Sequence, residues 1–81
     1  MLKARFSPDE REWLVRLAEP DQIACETISP RIFECAMREE VAETLRERCG
    51  IELQRWGFDA DAKLTEAGRV LESLIDKLFI E

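Results

Sequence analysis

The apolar residues of the C-terminal stretch constrain this chain most. Ala67, Val70, Leu71, Leu74, Ile75, Leu78 and Phe79 recur at i, i+3 and i+4, and Arg69, Glu72, Ser73, Asp76 and Lys77 fill the opposite side. A period of 3.6 predicts an amphipathic helix over residues 66–80 whose apolar stripe must be buried against another element. Thr65 is the expected N-cap, and Glu66 suits the positive end of the helix dipole. Gly68 lies on the polar side of the first turn. There it costs about 1 kcal/mol against alanine, and its use would be to let a neighbour come close.

With 81 residues there are few partners for that stripe. Ser7 and Glu10 make a capping box with Pro8 at the first helical position, which predicts a helix from about Pro8 to Glu19. Trp13, Leu14, Leu17 and Ala18 share its face, and Pro20 ends it. Ser29-Pro30 repeats the entry signal and predicts a second helix over 30–49, stopped by Gly50. Ile32, Phe33, Ala36 and Met37 form one face near its start; Val41, Ala42, Leu45 and Cys49 form a rotated face near its end. One long helix is the first reading, and two short ones broken near Arg38-Glu39-Glu40 are the alternative. Residues 21–29 alternate weakly through Ile23, Cys25 and Thr27, as a short strand or extended connector would. Residues 50–65 read equally as a hairpin with arms near 51–56 and 62–64, or as a helical turn followed by a loop. The expected fold class is therefore mainly α: one soluble domain over residues 1–81, with three helices around one core. A short winged-helix-like β-hairpin between helices 2 and 3 is the optional addition.

Composition narrows the functions. The chain is 46% apolar and 37% charged, with 18 acidic and 12 basic residues and a net charge of −6. Such a charge repels nucleic acid and anionic lipid at long range and favours a basic protein partner. No apolar run approaches the roughly 20 residues that span a bilayer, and Met1 to Phe6 lacks the apolar core of a signal peptide. Histidine is absent, so His-based triads and Cys/His zinc sites are excluded. Cys25, Cys35 and Cys49 have no zinc-type spacing. If Cys35 and Cys49 share a helix they stand about 21 Å apart, beyond disulfide reach. Three reduced thiols and a cytoplasmic location are thus expected. Gly50, Gly57 and Gly68 stand alone, so no phosphate-binding loop forms. Asp59-x-Asp61 looks like the start of a calcium loop, but Lys63 sits where the third ligand belongs, and a turn is the better reading. No catalytic residue, cofactor or metal is expected.

Two features suggest a surface for a partner. Glu40, Glu43 and Glu47, with Glu39 beside them, fall on one side of a helix, where like charges three and four apart repel. A solvated face is the ordinary fate of such a stripe; the functional alternative is contact with a basic patch. Trp56 and Phe58, with Asp59 and Asp61 next to them, place large aromatics in a predicted loop, where they would act as interface anchors or as a lid on the core.

Lys63-Leu64-Thr65-Glu66-Ala67-Gly68-Arg69, followed by Val70-Leu71, resembles the "LTxxGxxL" end of many winged-helix regulators. The resemblance covers about a quarter of the chain and implies a wing over Ile51 to Asp61 and a closing helix after it. Residues 30–49 would then have to hold two helices and a turn. The would-be recognition helix would carry Glu39, Glu40, Glu43 and Glu47 toward phosphates, where basic residues are usual.

The leading expectation is a non-catalytic, acidic protein-binding module. It would be a small inhibitor or adaptor of the physical type of bacterial immunity proteins and phage-encoded inhibitors, covering a basic surface such as that of a nucleic-acid-binding protein. A homodimer is the alternative assembly. A winged-helix DNA-binding regulator is the alternative function.

Overall fold

A three-stranded antiparallel sheet built from the first half of the chain overturns the mainly α expectation. The computed structural model describes residues 1–79. Its elements are β1 (Leu2–Phe6), α1 (Pro8–Leu17), β2 (Ile23–Ser29), β3 (Ile32–Met37), α2 (Glu39–Trp56) and α3 (Glu66–Lys77). Strand order is β1-β3-β2, with both neighbours antiparallel to β3. β1 and β2 are thus parallel to each other, and α1 crosses between them with β3 inserted. The result is a split β-α-β unit followed by two helices, an α+β arrangement.

Register explains why these short segments are strands. Leu2–Met37–Ile23, Ala4–Cys35–Cys25 and Phe6–Phe33–Thr27 form three cross-strand rows. Phe6, Cys35 and Met37 are buried among the helices. The intervening rows bring Arg5, Glu34 and Glu26 together on the other side. There Glu34 meets Lys3 at 3.3 Å and Arg5 at 3.7 Å. One face is greasy and one is charged, as period-2 alternation requires.

The helix expected over 30–49 is in fact a turn, a strand and the first part of a longer helix. Pro30-Arg31 turns β2 into β3, with Ser29 paired to Ile32 and a register shift between Thr27 and Ser29. Proline's fixed φ serves position i+1 of a turn as well as the first residue of a helix, which is why Ser29-Pro30 misled. α2 starts after Arg38, where the alternative break stood, and runs through Gly50 to Trp56. Gly50 does not stop it, and the helical backbone leaves open space around that position.

The other helix signals match more closely. Ser7 caps α1 with both halves of the capping box, although α1 ends at Leu17 with Ala18 as its C-cap. Thr65 caps α3, which ends at Lys77; the expected end at residue 80 lies outside the described residues. The hairpin expected between helices 2 and 3 is reduced to one bridge, Phe58 with Leu64. The sheet precedes α2, so no wing follows a recognition helix and the winged-helix topology is corrected with the fold class.

One core joins the layers. Leu14 of α1, Ala42, Leu45 and Cys49 of α2, Leu71 and Leu74 of α3 and its C-cap Leu78 bury against Phe6, Cys35 and Met37 of the sheet. Burying each large apolar side chain contributes roughly 1.5–3 kcal/mol. A polar pin crosses the same interface. Glu10, 4% exposed, accepts from the Ser7 backbone N–H at 2.7 Å, the Ser73 hydroxyl at 2.7 Å and the Lys77 ammonium at 2.8 Å. α1 is thereby fixed to α3. The capping box supplies the first contact, and the fold supplies the other two.

Cys25 and Cys35 face each other in register and are joined by a disulfide, leaving buried Cys49 as the free cysteine. This corrects the expectation of three reduced thiols. A helix through both Cys35 and Cys49 would keep them apart, and it is the β2–β3 pairing that brings Cys35 to Cys25.

Candidate functional site

α2 carries the acidic residues on its outer side. Its inner side is set by Ala42, Leu45 and Cys49. At about 100° per residue, Glu39, Glu43, Glu47 and Glu40 span an arc of about 100° centred well away from that buried side. All four are exposed. Glu39 meets the N-terminal ammonium at 3.8 Å. Among the described residues no cation lies within 4.0 Å of Glu40, Glu43 or Glu47. Glu39 and Glu43, with Arg46 and Leu78, also border a shallow cavity of about 180 Å³ beside the end of α3. The helix dipole offsets part of this charge, since Glu39 and Glu40 stand in the first turn.

The aromatic group is elsewhere. Trp56 ends α2, nine residues and about 14 Å beyond Glu47, and about 180° around the helix from it. Trp56 is 60% exposed and Phe58 48% exposed. Asp59 and Asp61 follow in the loop to α3, both exposed. The structure therefore gathers Trp56, Phe58, Asp59 and Asp61 at one end of α2 and leaves the four glutamates on another surface.

That loop is built by its own residues. The Asp59 carboxylate accepts from the backbone N–H groups of Asp61 at 2.9 Å and Lys63 at 3.0 Å, and Ala62 takes a left-handed φ of 60°. Asp59 is thus the turn former its sequence suggests. Behind it, the Thr65 hydroxyl donates to the Trp56 carbonyl at 2.9 Å, and the Thr65 N–H donates to the Gly57 carbonyl at 2.8 Å. A Cβ on Gly68 would fall against the Gly57 carbonyl oxygen, inside van der Waals contact. The close approach proposed for Gly68 is real, and its neighbour is Gly57. This corner fixes where Trp56 stands.

Trp56 does not stand alone. With Trp13, Leu17 and Ala67 it walls an apolar slot of about 500 Å³, edged by Arg16 and Glu52. A second cavity of about 400 Å³ shares Trp13, Arg16 and Ala67 and extends past Val70, between the length of α1 from Asp9 to Arg16 and the start of α3. Trp13 was expected on the buried stripe of α1, whereas it is half-buried and faces this groove. Arg16 lies over its ring at 5.0 Å. The i, i+3 Trp–Arg spacing was the available signal. Nothing local, however, indicated that α2 would deliver Trp56 to the same place.

Two groups have shifted ionisation. Burial would raise the Glu10 carboxyl, but hydrogen bonds from Lys77, the Ser7 backbone and Ser73, together with the Lys77 charge, outweigh it and hold it below its ordinary value. Burial first, and Glu52 second, push the Cys49 thiol up to about 11. Among the described residues no group of three or more His, Cys, Asp or Glu is placed to hold a metal ion, and no helix is long and apolar enough to cross a membrane.

Fold and surfaces together define a small α+β domain: a split β-α-β sheet capped by two further helices, with an acidic helix face and a tryptophan groove. No protein-family model, curated protein or solved structure matches the chain. The functional reading therefore rests on geometry and charge alone.

Proposed function

We propose that this protein is a non-catalytic binding module of inhibitor or adaptor type that docks the acidic outer face of α2 onto a basic surface of a protein partner. The observation that carries the reading is the set of carboxylates Glu40, Glu43 and Glu47, spaced three and four apart, exposed, and without a cation within 4.0 Å among the described residues. Each such neighbour pair costs the isolated helix about 0.2–0.5 kcal/mol. A basic partner would relieve that repulsion and use the charge for steering and register. A net charge of −6 adds long-range attraction of the same sign. The cytoplasmic location expected from three reduced thiols loses its basis with the Cys25–Cys35 disulfide, because such bonds persist chiefly in oxidising compartments.

The test is capture of partners from the native host by the wild-type chain and by an E40Q/E43Q/E47Q variant, followed by affinity measurement on the purified partner. The expected partner is basic. Its affinity falls steeply between about 0.05 and 0.5 M salt, where screening tightens, and drops at least tenfold in the triple variant. An affinity indifferent to both salt and substitution refutes the reading, as does preferential binding to DNA fragments at low salt.

A further inference from the structure

The chain's two tryptophans, Trp13 and Trp56, stand on one groove. Each has a carboxylate from its own helix beside it, Glu12 for Trp13 and Glu52 for Trp56. In the first half the set is complete. The Arg16 guanidinium lies over the Trp13 ring at 5.0 Å and meets Glu12 at 3.5 Å. Cation–π attraction and a charge-assisted contact act there together. In the second half the ring is bare: Trp56 is 60% exposed, and among the described residues no cation stands over it. Among the described residues Glu52 meets only its helix neighbour Arg55, at 3.7 Å.

The surrounding charge has the matching sign. Asp9, Glu12, Glu52 and Glu66 border the two cavities, against Arg16 and Arg69. Asp9 and Glu66 have no cation within 4.0 Å among the described residues. Cavities of about 500 and 400 Å³ are of the size that takes side chains of an extended segment. Nucleic-acid bases would also stack on Trp56, but their phosphates would meet this carboxylate rim.

We propose that the Trp13–Trp56 groove is a second docking site, which takes an arginine-bearing extended segment of a protein partner with one guanidinium laid on the Trp56 ring beside Glu52. Further basic residues of the segment face Asp9 and Glu66. Arginine is favoured over lysine because its planar guanidinium stacks on a ring and pairs with a carboxylate at once. The site rests on the reading of this chain as a binder of basic proteins, but it lies on a different surface from the acidic face of α2.

The chain has no tyrosine and its two tryptophans both line the groove, so intrinsic fluorescence reports on this site directly. The probe is a capped hexapeptide alternating glycine and arginine, compared with its glycine–lysine counterpart, with titration calorimetry as a second readout. The expected result is saturable binding of the arginine peptide, several-fold tighter than the lysine peptide. W56L keeps apolar area at this exposed position and removes the ring. It should erase the arginine preference and weaken binding about tenfold, the scale of a partly desolvated cation–π contact. E40Q/E43Q/E47Q should bind the peptide as wild type does, which separates this site from the α2 face whatever becomes of the partner experiment. Equal binding of the two peptides, undiminished binding by W56L, loss of binding in the triple glutamine variant, or no saturable binding would each overturn the proposal. So would tighter binding of a single-stranded oligonucleotide than of the arginine peptide.

Discussion

Glu10 shows how one residue serves two levels of structure. As the third residue of α1 it returns a hydrogen bond to Ser7, and with Lys77 and Ser73 it also ties α1 to α3. Its carboxyl is 5% exposed while the Lys77 side chain is 39% exposed, so the ammonium's share is partly screened. We expect E10Q to lower stability by about 2 kcal/mol at pH 7. Because the folded carboxyl sits below the ordinary value of 4.5, its contribution is full above that pH and is lost as pH falls through the folded value. Urea unfolding at pH 7 and pH 3 checks this: the difference between wild type and E10Q should be large at the first and shrink at the second.

At the scale of elements, the glycines of α2 and α3 divide by surroundings rather than by helix propensity. Gly50 lies inside α2 with open space where a Cβ would stand, and none of the glycines has a positive φ. G50A should therefore stabilise by about 0.5–1 kcal/mol. Gly68 is also helical, yet its added carbon would meet the Gly57 backbone and Leu64. G68A should destabilise by about 2 kcal/mol despite alanine's better propensity, because the α2–α3 corner must open. Opposite shifts in urea midpoint at unchanged slope are the expected result. Read locally, Gly50 is a helix stop and Gly68 a cost of about 1 kcal/mol; the structure puts Gly50 inside α2 and sets the Gly57 backbone against Gly68, which overturns both.

For the whole molecule, strand pairing governs the cysteines. Cys25 and Cys35 meet because β2 and β3 pair in register, while Cys49 is sealed in the core with its thiol pushed up to about 11. Thiol titration in guanidinium without reductant should count one free cysteine, and titration of the native protein at pH 8 should count almost none. Three thiols in the unfolded chain would restore the reduced state and remove the bond between the strands.

What local order could settle is visible in α1 and α3. The Ser7 box and the Thr65 cap need only near neighbours and stand in the structure as they read in the chain; the 3.6-residue stripe is buried at Leu71, Leu74 and Leu78, whereas Phe79, read as part of it, is 54% exposed with Arg46 over its ring. Leu2, Ala4 and Phe6 alternate with Lys3 and Arg5, yet no strand was expected there; a five-residue strand is stable only against a partner. That partner, β3, lies about thirty residues away and reads locally as helix, because Ser29-Pro30 is a helix entry signal and Ile32, Phe33, Ala36 and Met37 fit one helical face. Long-range pairing resolved the sheet, the disulfide and the meeting of Trp13 with Trp56. Each depends on contacts between segments far apart in the chain, and such contacts are decided by which faces pack together, not by the preference of either segment alone.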